Sequence, residues 1–217
     1  MLISRVEATL IAELLTPYVE GLSSRQLSQV STYLDLLLKW NARMNLTSIR
    51  DPENIVKRHF GESFFLARHI SALAADLMDI GSGAGFPAIP IKIYRPELNV
   101  TLVEAQQRKA TFLREVGRAL NLDVDVKNVR VEDLLRAQPA SAAVITFRAV
   151  EKFESILPLA AKMIRKQGAE SSRGCLAILV STSQVPRAQS LLPDWRFEPP
   201  IPVPGGDNRV LLRGEPK

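Results

Sequence analysis

The strongest constraint on the fold is a short apolar run that leads directly into three closely spaced glycines. The segment reads Leu77-Met-Asp-Ile-Gly-Ser-Gly-Ala-Gly-Phe-Pro. Glycine at alternate positions (Gly81, Gly83 and Gly85) permits positive φ angles and lets a ligand approach the main chain closely. A helix that begins after such a turn presents free amide groups at its N-terminus. The segment therefore predicts a strand, a turn that binds a nucleotide-like cofactor, and a helix.

The pattern around this segment predicts an α/β sheet preceded by helices. From residue 73 onward, short apolar runs alternate with amphipathic stretches, which is typical of β-α-β units. We expect strands at 77–80, 100–103, 124–127, 144–147 and 176–180, helices at 107–120 and 153–164, a polar surface loop at 168–174, and a closing antiparallel strand from residue 209. Apolar residues at three- and four-residue spacing predict helices before residue 73. The expected domains are a helical N-terminal extension, 1–72, and an α/β domain, 73–217, in one compact unit.

Composition and charge limit the partners. The chain has 217 residues, with 28 Lys and Arg against 23 Asp and Glu, for a formal charge of +5. Such an excess is compatible with a nucleic acid partner without requiring one. No apolar run reaches the roughly 20 residues that cross a bilayer, and the single Cys175 cannot form an internal disulfide or a cysteine metal cluster. We expect a cytoplasmic monomer with no membrane segment and no metal.

The spacing of the glycines indicates which cofactor binds. A dinucleotide fingerprint reads G-x-G-x-x-G, whereas this chain reads G-x-G-x-G. Asp79 precedes the turn by two residues, and we expect its carboxylate beside the turn to repel a phosphate and to tolerate a cationic sulfonium. The spacing therefore favours S-adenosylmethionine over a dinucleotide.

A second acid supports this interpretation. Glu104 ends the next apolar strand, 19 residues after Gly85, where a carboxylate can accept hydrogen bonds from both ribose hydroxyls of the cofactor. After the third strand, Val131 and Glu132 offer backbone groups where the adenine ring is expected. These positions complete the predicted cofactor site.

Several segments together resemble the bacterial 16S ribosomal RNA guanine-N7 methyltransferases known as RsmG or GidB. The matching segments are Trp40-Asn-x-x-Met-Asn-Leu-Thr-Ser, Arg58-His59 with Glu62-Ser63, the run from Asp79 to Pro90, Glu104 with Arg108-Lys109, Arg130-Val-Glu, Phe147-Arg-Ala and Asn208-Arg-Val. They span most of the chain, and few other methyltransferases share the helical block before the glycines.

This resemblance implies a Rossmann-like class I S-adenosylmethionine-dependent methyltransferase fold with a helical N-terminal extension. It also implies methyl transfer to N7 of a guanine in 16S ribosomal RNA, either free or within the 30S subunit. The family's cofactor positions fall on Gly81, Phe86, Val131, Glu132 and Arg148, and Glu104 stands where the ribose-binding acid belongs. The chain departs from the family pattern at several positions, namely Glu62 for aspartate, Ala88 for glycine, Phe147 for serine, and Leu179-Val-Ser-Thr where a lysine-glycine pair is usual.

The chemistry of guanine N7 limits what catalysis requires. Its lone pair is exposed, so no general base is obligatory, and catalysis can rest on orientation of the reactants. Arg148 follows the fourth strand, at the edge where open α/β sheets bind ligands, and is the candidate catalytic residue, either steadying the cofactor or clamping guanine. Lys109, Arg130 and Arg209 are candidates for contact with RNA phosphates.

Other conspicuous residues have structural interpretations. We expect His59 to organise the junction between the extension and the domain through hydrogen bonds, and Trp40, Phe147 and Cys175 to pack in the core. Three alternative functions remain open at this point. They are methylation of another RNA, a protein or a small molecule, a non-catalytic RNA-binding role in ribosome assembly, and a nicotinamide-dependent reaction.

Overall fold

The computed structural model describes residues 7–137, 141–149, 152–165 and 174–217. Within these ranges the chain forms an eight-stranded sheet flanked by helices. The strands are β1 (Asp76–Ile80), β2 (Asn99–Val103), β3 (Val124–Lys127), β4 (Val144–Thr146), β5 (Cys175–Ser181), β6 (Trp195–Phe197), β7 (Ile201–Pro202) and β8 (Arg209–Pro216). The predicted loop at 168–174 lies outside the described residues, apart from Gly174.

The helices cover both faces of this sheet. They are α1 (Ala8–Leu15), α2 (Ser24–Asn41), α3 (Pro52–Ile55), α4 (Glu62–Arg68), α5 (Ala88–Tyr94), α6 (Gln107–Leu120), α7 (Val131–Ala137), α8 (Phe153–Lys162) and α9 (Val185–Leu191). A π-helical segment, Val56–Gly61, joins α3 to α4, and a short 3-10 helix, Thr182–Gln184, precedes α9. None of the helices that the structure describes combines the length and the apolar character needed to cross a bilayer.

The strand order is β3-β2-β1-β4-β5-β8-β6, with β7 beside β8. Strands β1 to β5 run parallel, so that Leu77 of β1 faces Val100 of β2 on one side and Val144 of β4 on the other. The order therefore reverses between β1 and β4, which makes this the switch point where an open α/β sheet leaves a crevice. Strand β8 lies antiparallel to β5, as predicted for the closing strand.

Alternation along the strands divides the core into two apolar clusters. Successive strand residues point to opposite faces, so Leu77 packs in a cluster with helices α1 to α6, whereas Met78 packs in the second cluster with α8 and α9. The first cluster joins the helical extension to the sheet. Strand β1 begins at Asp76, and the domain division at residue 72 stays a prediction.

Helix α2 is held at its start and along its length. Ser23 and Gln26 form the predicted capping box, in which each side chain bonds the main chain of the other residue at 2.9–3.3 Å. The Gln26 side chain also donates to the carbonyl of Ile93 at 3.0 Å, and Gln29 donates to that of Leu120 at 2.9 Å. These bonds fasten the extension to the ends of α5 and α6.

Most sequence-based element assignments agree with the structure. Strand β3 and helix α6 have the predicted bounds, while the fourth strand ends at Thr146 instead of Phe147. The shorter elements β6, β7 and α9 were not predicted, since each is too short for a periodic apolar pattern, whereas α5 is the helix expected after the glycine turn. Phe147 is nevertheless in the core, with its ring 6.1 Å from that of Phe153.

Candidate cofactor and active site

A cavity of about 740 Å³ lies at the switch point between β1 and β4. Its volume is in the range of sites for drug-sized ligands. The predicted site residues that line it are Gly81, Gly83, Phe86, Glu104, Lys109, Arg130, Val131, Glu132, Arg148 and Arg209. The structure therefore brings together residues from five separate segments, while two predicted residues, Asp79 and Gly85, do not line the cavity.

The glycine turn is built around hydrogen bonds to the neighbouring strand. The amides of Gly81 and Ser82 both donate to the carbonyl of Val103, at 2.8 and 3.1 Å. Gly83 has a φ of 56°, and a Cβ added there would have its nearest neighbour at 3.8 Å, on the Gly81 carbonyl. The space above Gly83 is therefore open to a ligand.

Glu104 is joined directly to this turn. Its Oε2 accepts the main-chain N–H of Gly83 at 2.9 Å, and its Oε1 accepts the N–H of Gln106 at 2.7 Å. The carboxylate is buried, yet it borders the cavity. Because each carboxylate oxygen has two lone pairs, both oxygens keep acceptor capacity for a ligand in the cavity.

Gly85 faces the helical extension. A Cβ at this position, where φ is 90°, would lie 2.5 Å from the Tyr33 hydroxyl oxygen and 2.6 Å from Cδ1 of Ile89. Tyr33 donates a hydrogen bond to the carbonyl of Ala84 and stacks on Phe86 at 5.1 Å. Gly85 thus allows α2 to pack against the turn, which differs from its predicted contact with the cofactor.

Asp79 is fully buried beneath the turn. It shares the strand face of Leu77, since alternate residues point the same way, and therefore points into the core beside the extension. Neither of its carboxylate oxygens has a hydrogen-bond partner among the described residues. Burial raises the pKa of Asp79 to about 7. The carboxylate expected beside the turn is therefore a buried group that does not line the cavity, because the alternation of β1 fixes its direction.

Arg148 crosses from the sheet to the extension. Its Nη1 donates to the carbonyl of Arg58 at 2.8 Å and lies 3.4 Å from Oε2 of Glu62. Its Nη2 lies 2.7 Å from Nδ1 of His59, and the guanidinium carbon is 5.4 Å from the centroid of Phe86. The side chain is 10% exposed, and burial lowers its pKa. An arginine in this setting remains charged.

Glu62 supplies the countercharge for three arginines. Its carboxylate lies 3.4 Å from Arg148, 3.7 Å from Arg209 and 4.0 Å from Arg58. The carboxylate is buried, and a buried charge needs such partners to offset its desolvation. Glu62 therefore holds a cationic group together at one end of the cavity.

His59 links Arg148 to the loop that follows α2. A guanidinium only donates hydrogen bonds, so Nδ1 of His59 accepts from Arg148, and the ring proton is on Nε2. That Nε2–H donates to Oγ1 of Thr47 at 2.7 Å. Burial, followed by the charge of Arg148, lowers the pKa of His59 to about 2. The ring is therefore neutral, and its predicted role at the junction is confirmed by these bonds.

The comparison with known proteins places the chain in a family. The GidB family, described as rRNA small subunit methyltransferase G, matches residues 26–170. The chain is 39% identical over 213 residues to ribosomal RNA small subunit methyltransferase G of Chloroflexus aggregans, covering 94% of this chain and 87% of the relative. The chain belongs to this family. The relative of the same name from Xylella fastidiosa strain 9a5c is 36% identical over 189 residues, covering 83% and 84%.

Solved structures of other methyltransferases share the fold of this GidB-family protein. The ribosomal protein L11 methylase of Lactobacillus delbrueckii subsp. bulgaricus has a TM-score of 0.59 at 12% identity, covering 74% of this chain and 79% of that one. TYW2 of P. horikoshii, solved in complex with MeSAdo, has a TM-score of 0.53 at 17% identity, covering 72% and 62%. The predicted class I methyltransferase fold is thereby confirmed, as are S-adenosylmethionine-dependent methyltransferase activity and its cofactor.

The donor set of the cavity fits the cofactor of the GidB family. Glu104 offers acceptor positions for ribose hydroxyls, and the open space above Gly83 allows close approach to the main chain. The cavity has room for a ligand of this size. None of the described residues form a group of His, Cys, Asp or Glu that would hold a metal ion.

Several residues at the cavity of this GidB-family protein were not predicted as site residues from the sequence. They are Thr47, Arg58, His59, Glu62 and Lys152. All but Lys152 come from the extension. The apolar periodicity of its helices identifies only the residues that pack in the core, and it gives no information on those that line a cavity. The matching segment from Trp40 to Ser48 was the one sequence signal near Thr47. Trp40 itself packs 5.5 Å from Phe112, and Cys175 at the start of β5 is away from the cavity.

Proposed function

We propose that this protein transfers the methyl group of S-adenosylmethionine to N7 of a guanine in 16S ribosomal RNA, acting as a monomer in the cytoplasm. The observation that carries the proposal is the glycine turn bonded to Glu104 at the mouth of a large crevice, in a chain of the GidB family. The named relatives modify small-subunit ribosomal RNA. The formal charge of +5 suits a polyanionic substrate.

The adenosyl part of the cofactor is assigned to the side of the cavity formed by β2 and α7. Glu104 accepts hydrogen bonds from the ribose hydroxyls, and Gly81 and Gly83 admit the ligand close to the turn. Val131 and Glu132 flank the adenine with main-chain groups. S-adenosylmethionine supplies an electrophilic methyl group on a positively charged sulfur. Phe86, next to the turn, presents an aromatic ring to the same cavity.

No side chain in the proposed reaction has to remove a proton. Guanine N7 attacks through an exposed lone pair, and His59, the one imidazole at the cavity, has both ring nitrogens engaged with Arg148 and Thr47. Its low pKa also makes it a poor base near neutral pH. The contribution of the protein is therefore orientation of the two reactants, an effect worth up to about 7–11 kcal/mol.

Arg148 is proposed to orient the reacting groups. Its bonds to Arg58, Glu62 and His59 fix the guanidinium at the cavity wall. A guanidinium has five N–H donors, so donors beyond these three bonds serve the cofactor or the guanine. Arg148 is assigned a catalytic role because one of these free donors contacts either the cofactor or the guanine.

The RNA backbone is assigned to the cationic rim of the cavity. Lys109 and Arg130 lie on the side of β2 and β3, whereas Arg209 lies at the start of β8 beside Glu62. Cations at these positions can neutralise phosphates on either side of the target base. Lys152 adds a further positive charge at the same cavity.

The test uses methyl transfer from isotopically labelled S-adenosylmethionine to 30S subunits, to naked 16S ribosomal RNA and to ribosomal proteins. Mass mapping of the labelled RNA identifies the nucleotide and the position of the methyl group. We expect the mapping to find one guanine, methylated at N7. We also expect light scattering to give the mass of a monomer. Label in protein, label on another base atom, or RNA binding without any label would overturn the proposal. The stronger acceptor, free RNA or the subunit, identifies the natural substrate.

A further inference from the structure

A methyltransferase that acts on guanine N7 has to reject adenine. Both purines carry an acceptor at N7, and they differ at position 6, where guanine has an acceptor oxygen and adenine has a donor amino group. A protein group that can only donate a hydrogen bond at that position therefore selects guanine. The question for this cavity is which of its neutral side chains is restricted to donation.

Thr47 meets that condition. A hydroxyl has two lone pairs and one proton. Oγ1 of Thr47 accepts the Nε2–H of His59 at 2.7 Å and the main-chain N–H of Ile49 at 3.2 Å. Both lone pairs are thereby used, and no group among the described residues accepts the hydroxyl proton. Thr47 lines the cavity, so this proton is offered to a ligand there.

The direction of each bond that Thr47 accepts is fixed by the donor: the main-chain N–H of Ile49 can only donate, and Arg148 sets the proton of His59. Arg148 cannot accept a hydrogen bond, which places the proton of His59 on Nε2 and directs it to Thr47. The burial that keeps His59 neutral prevents Nδ1 from becoming a second donor. A hydroxyl that already accepts two hydrogen bonds is also polarised as a donor, because bonds in a chain strengthen one another.

The loop around Thr47 is held in place by Asn41 at the end of α2. The Asn41 side-chain oxygen accepts the amides of Leu46 and Thr47 at 2.9 and 3.0 Å, and its Nδ2 donates to the carbonyl of Thr47 at 3.0 Å. Asn41 is buried, which restricts the movement of these bonds. The hydroxyl is therefore fixed from its main chain and from its side chain.

We propose that Thr47 determines base specificity by donating its hydroxyl proton to O6 of the target guanine, which leaves the amino group of adenine facing a second donor. This inference rests on the proposed function, because it requires a guanine substrate. The charged groups of the same cavity, Lys109 and Arg209 among them, are attracted to phosphate as well as to a base. Thr47 is neutral, and its contribution is to the choice of base.

The experiment is a thermodynamic cycle that combines the protein variant Thr47→Val with a substrate that lacks O6. Substrate RNA carries either guanine or 2-aminopurine, which keeps N7 and lacks O6, at the nucleotide that mass mapping identifies. We expect Thr47→Val to lower kcat/KM on guanine by about 5–150-fold, the worth of one base contact. The same variant should lose little further activity on 2-aminopurine, and Thr47→Ser should restore the guanine rate. Affinity for S-adenosylmethionine should stay unchanged.

Controls separate this role from a structural one. Thr111→Val alters an exposed threonine on α6 whose hydroxyl donates to the Gln107 carbonyl, and Ser48→Ala removes the adjacent hydroxyl at the cavity. Both variants should keep wild-type selectivity between guanine and adenine. Equal losses for Thr47→Val on guanine and 2-aminopurine, or coupling to Ser48 instead, would overturn the inference. If the wild-type protein does not methylate guanine, the proposed function itself fails.

Discussion

The main-chain N–H of Gly83 donates a 2.9 Å hydrogen bond to Oε2 of Glu104. The glycine turn after β1 and the acid after β2 are therefore one unit, although 20 residues separate them in the chain. A ligand that bonds to Glu104 also lies against the turn. The acid therefore helps to shape the turn, and in the proposed function it also recognises the ligand.

Replacement of Glu104 should abolish tight cofactor binding. Glu104→Ala removes the acceptor of Gly83 and of the ribose hydroxyls, and hydrogen bonds to a charged group contribute about 1.5–3 kcal/mol each. We expect affinity for S-adenosylmethionine to fall by at least about 100-fold, as measured by calorimetry. The exposed Asp123 before β3 provides the control, since Asp123→Ala should bind normally. If Glu104→Ala bound S-adenosylmethionine as tightly as the wild type does, Glu104 would not be part of the cofactor site.

Gly83 and Gly85 should respond differently to alanine. Gly83→Ala meets no atom closer than 3.8 Å, so we expect a stability loss of only about 1–2 kcal/mol from its positive φ, together with weak cofactor binding. Gly85→Ala meets Tyr33 at 2.5 Å and should lose about 2–5 kcal/mol. Urea unfolding and calorimetry on both variants measure the two effects. A well-folded Gly85→Ala variant would contradict the packing of α2 described above.

Loss of the carboxylate at Glu62 should destabilise the protein strongly. Glu62→Ala leaves Arg148 buried without its countercharge, and an unpaired buried charge costs about 3–5 kcal/mol. Glu62→Asp retains the charge and should lose less. The control is Glu53→Ala, which breaks an exposed pair with Lys57 and should change the free energy of unfolding by at most about 1 kcal/mol. Similar losses for Glu62→Ala and Glu53→Ala would argue against the arginine cluster.

Much of the fold follows from local sequence pattern, and helix α6 shows why. Its apolar residues recur on one face over 14 residues, so periodicity alone locates it. Glu104 was predicted because a strand end and a glycine turn at a suitable separation are both visible in the chain. In each case the informative residues are close together in sequence.

The remaining features depend on tertiary packing. Thr47, His59 and Arg148 meet only because the extension docks against the sheet. The sequence placed His59 at that junction, but no local pattern shows which side chains it bonds. The direction of Asp79 was hidden for another reason. Strand β1 is buried on both faces, so its sequence lacks the alternation that would show which residues turn away from the cavity.

Two of the buried titratable groups, Asp79 and His59, should produce opposite dependences of stability on pH. Asp79 has a pKa of about 7 in the folded protein against an ordinary 3.8. Its stabilising contribution to the free energy of unfolding is therefore fully present below pH 3.8 and is lost as the pH rises toward 7. His59 has a folded pKa of about 2 against 6.5. Its contribution is present above pH 6.5 and is lost as the pH falls.

Single variants should reveal these slopes, which oppose each other in the wild type between pH 4 and 6.5. Relative to wild type, the free energy of unfolding of Asp79→Asn should increase by up to about 1.4 kcal/mol per pH unit as the pH rises through this window. That of His59→Gln should decrease by the same amount. Denaturant unfolding at matched pH values gives the differences. A difference that is flat with pH for either variant would show that the group titrates normally.

Salt dependence should distinguish the cations proposed to contact RNA from the cofactor site. Lys109→Ala and Arg130→Ala should each weaken RNA binding and reduce the slope of log affinity against log salt by about 0.7–0.9. Affinity for S-adenosylmethionine should remain unchanged. Arg196→Ala, on β6 and paired with Glu215, should leave the slope as it is. A slope that is unchanged in the first two variants would place the RNA elsewhere.

The bonds from α2 to Ile93 and Leu120 also bear on how the chain is synthesised. The N-terminal helices leave the ribosomal exit tunnel long before the segments that cover their apolar faces. At about 5–20 residues per second, translation leaves those faces without partners for several seconds. A nascent chain halted before residue 120 should therefore be a chaperone client, whereas the released full-length chain should resist brief proteolysis.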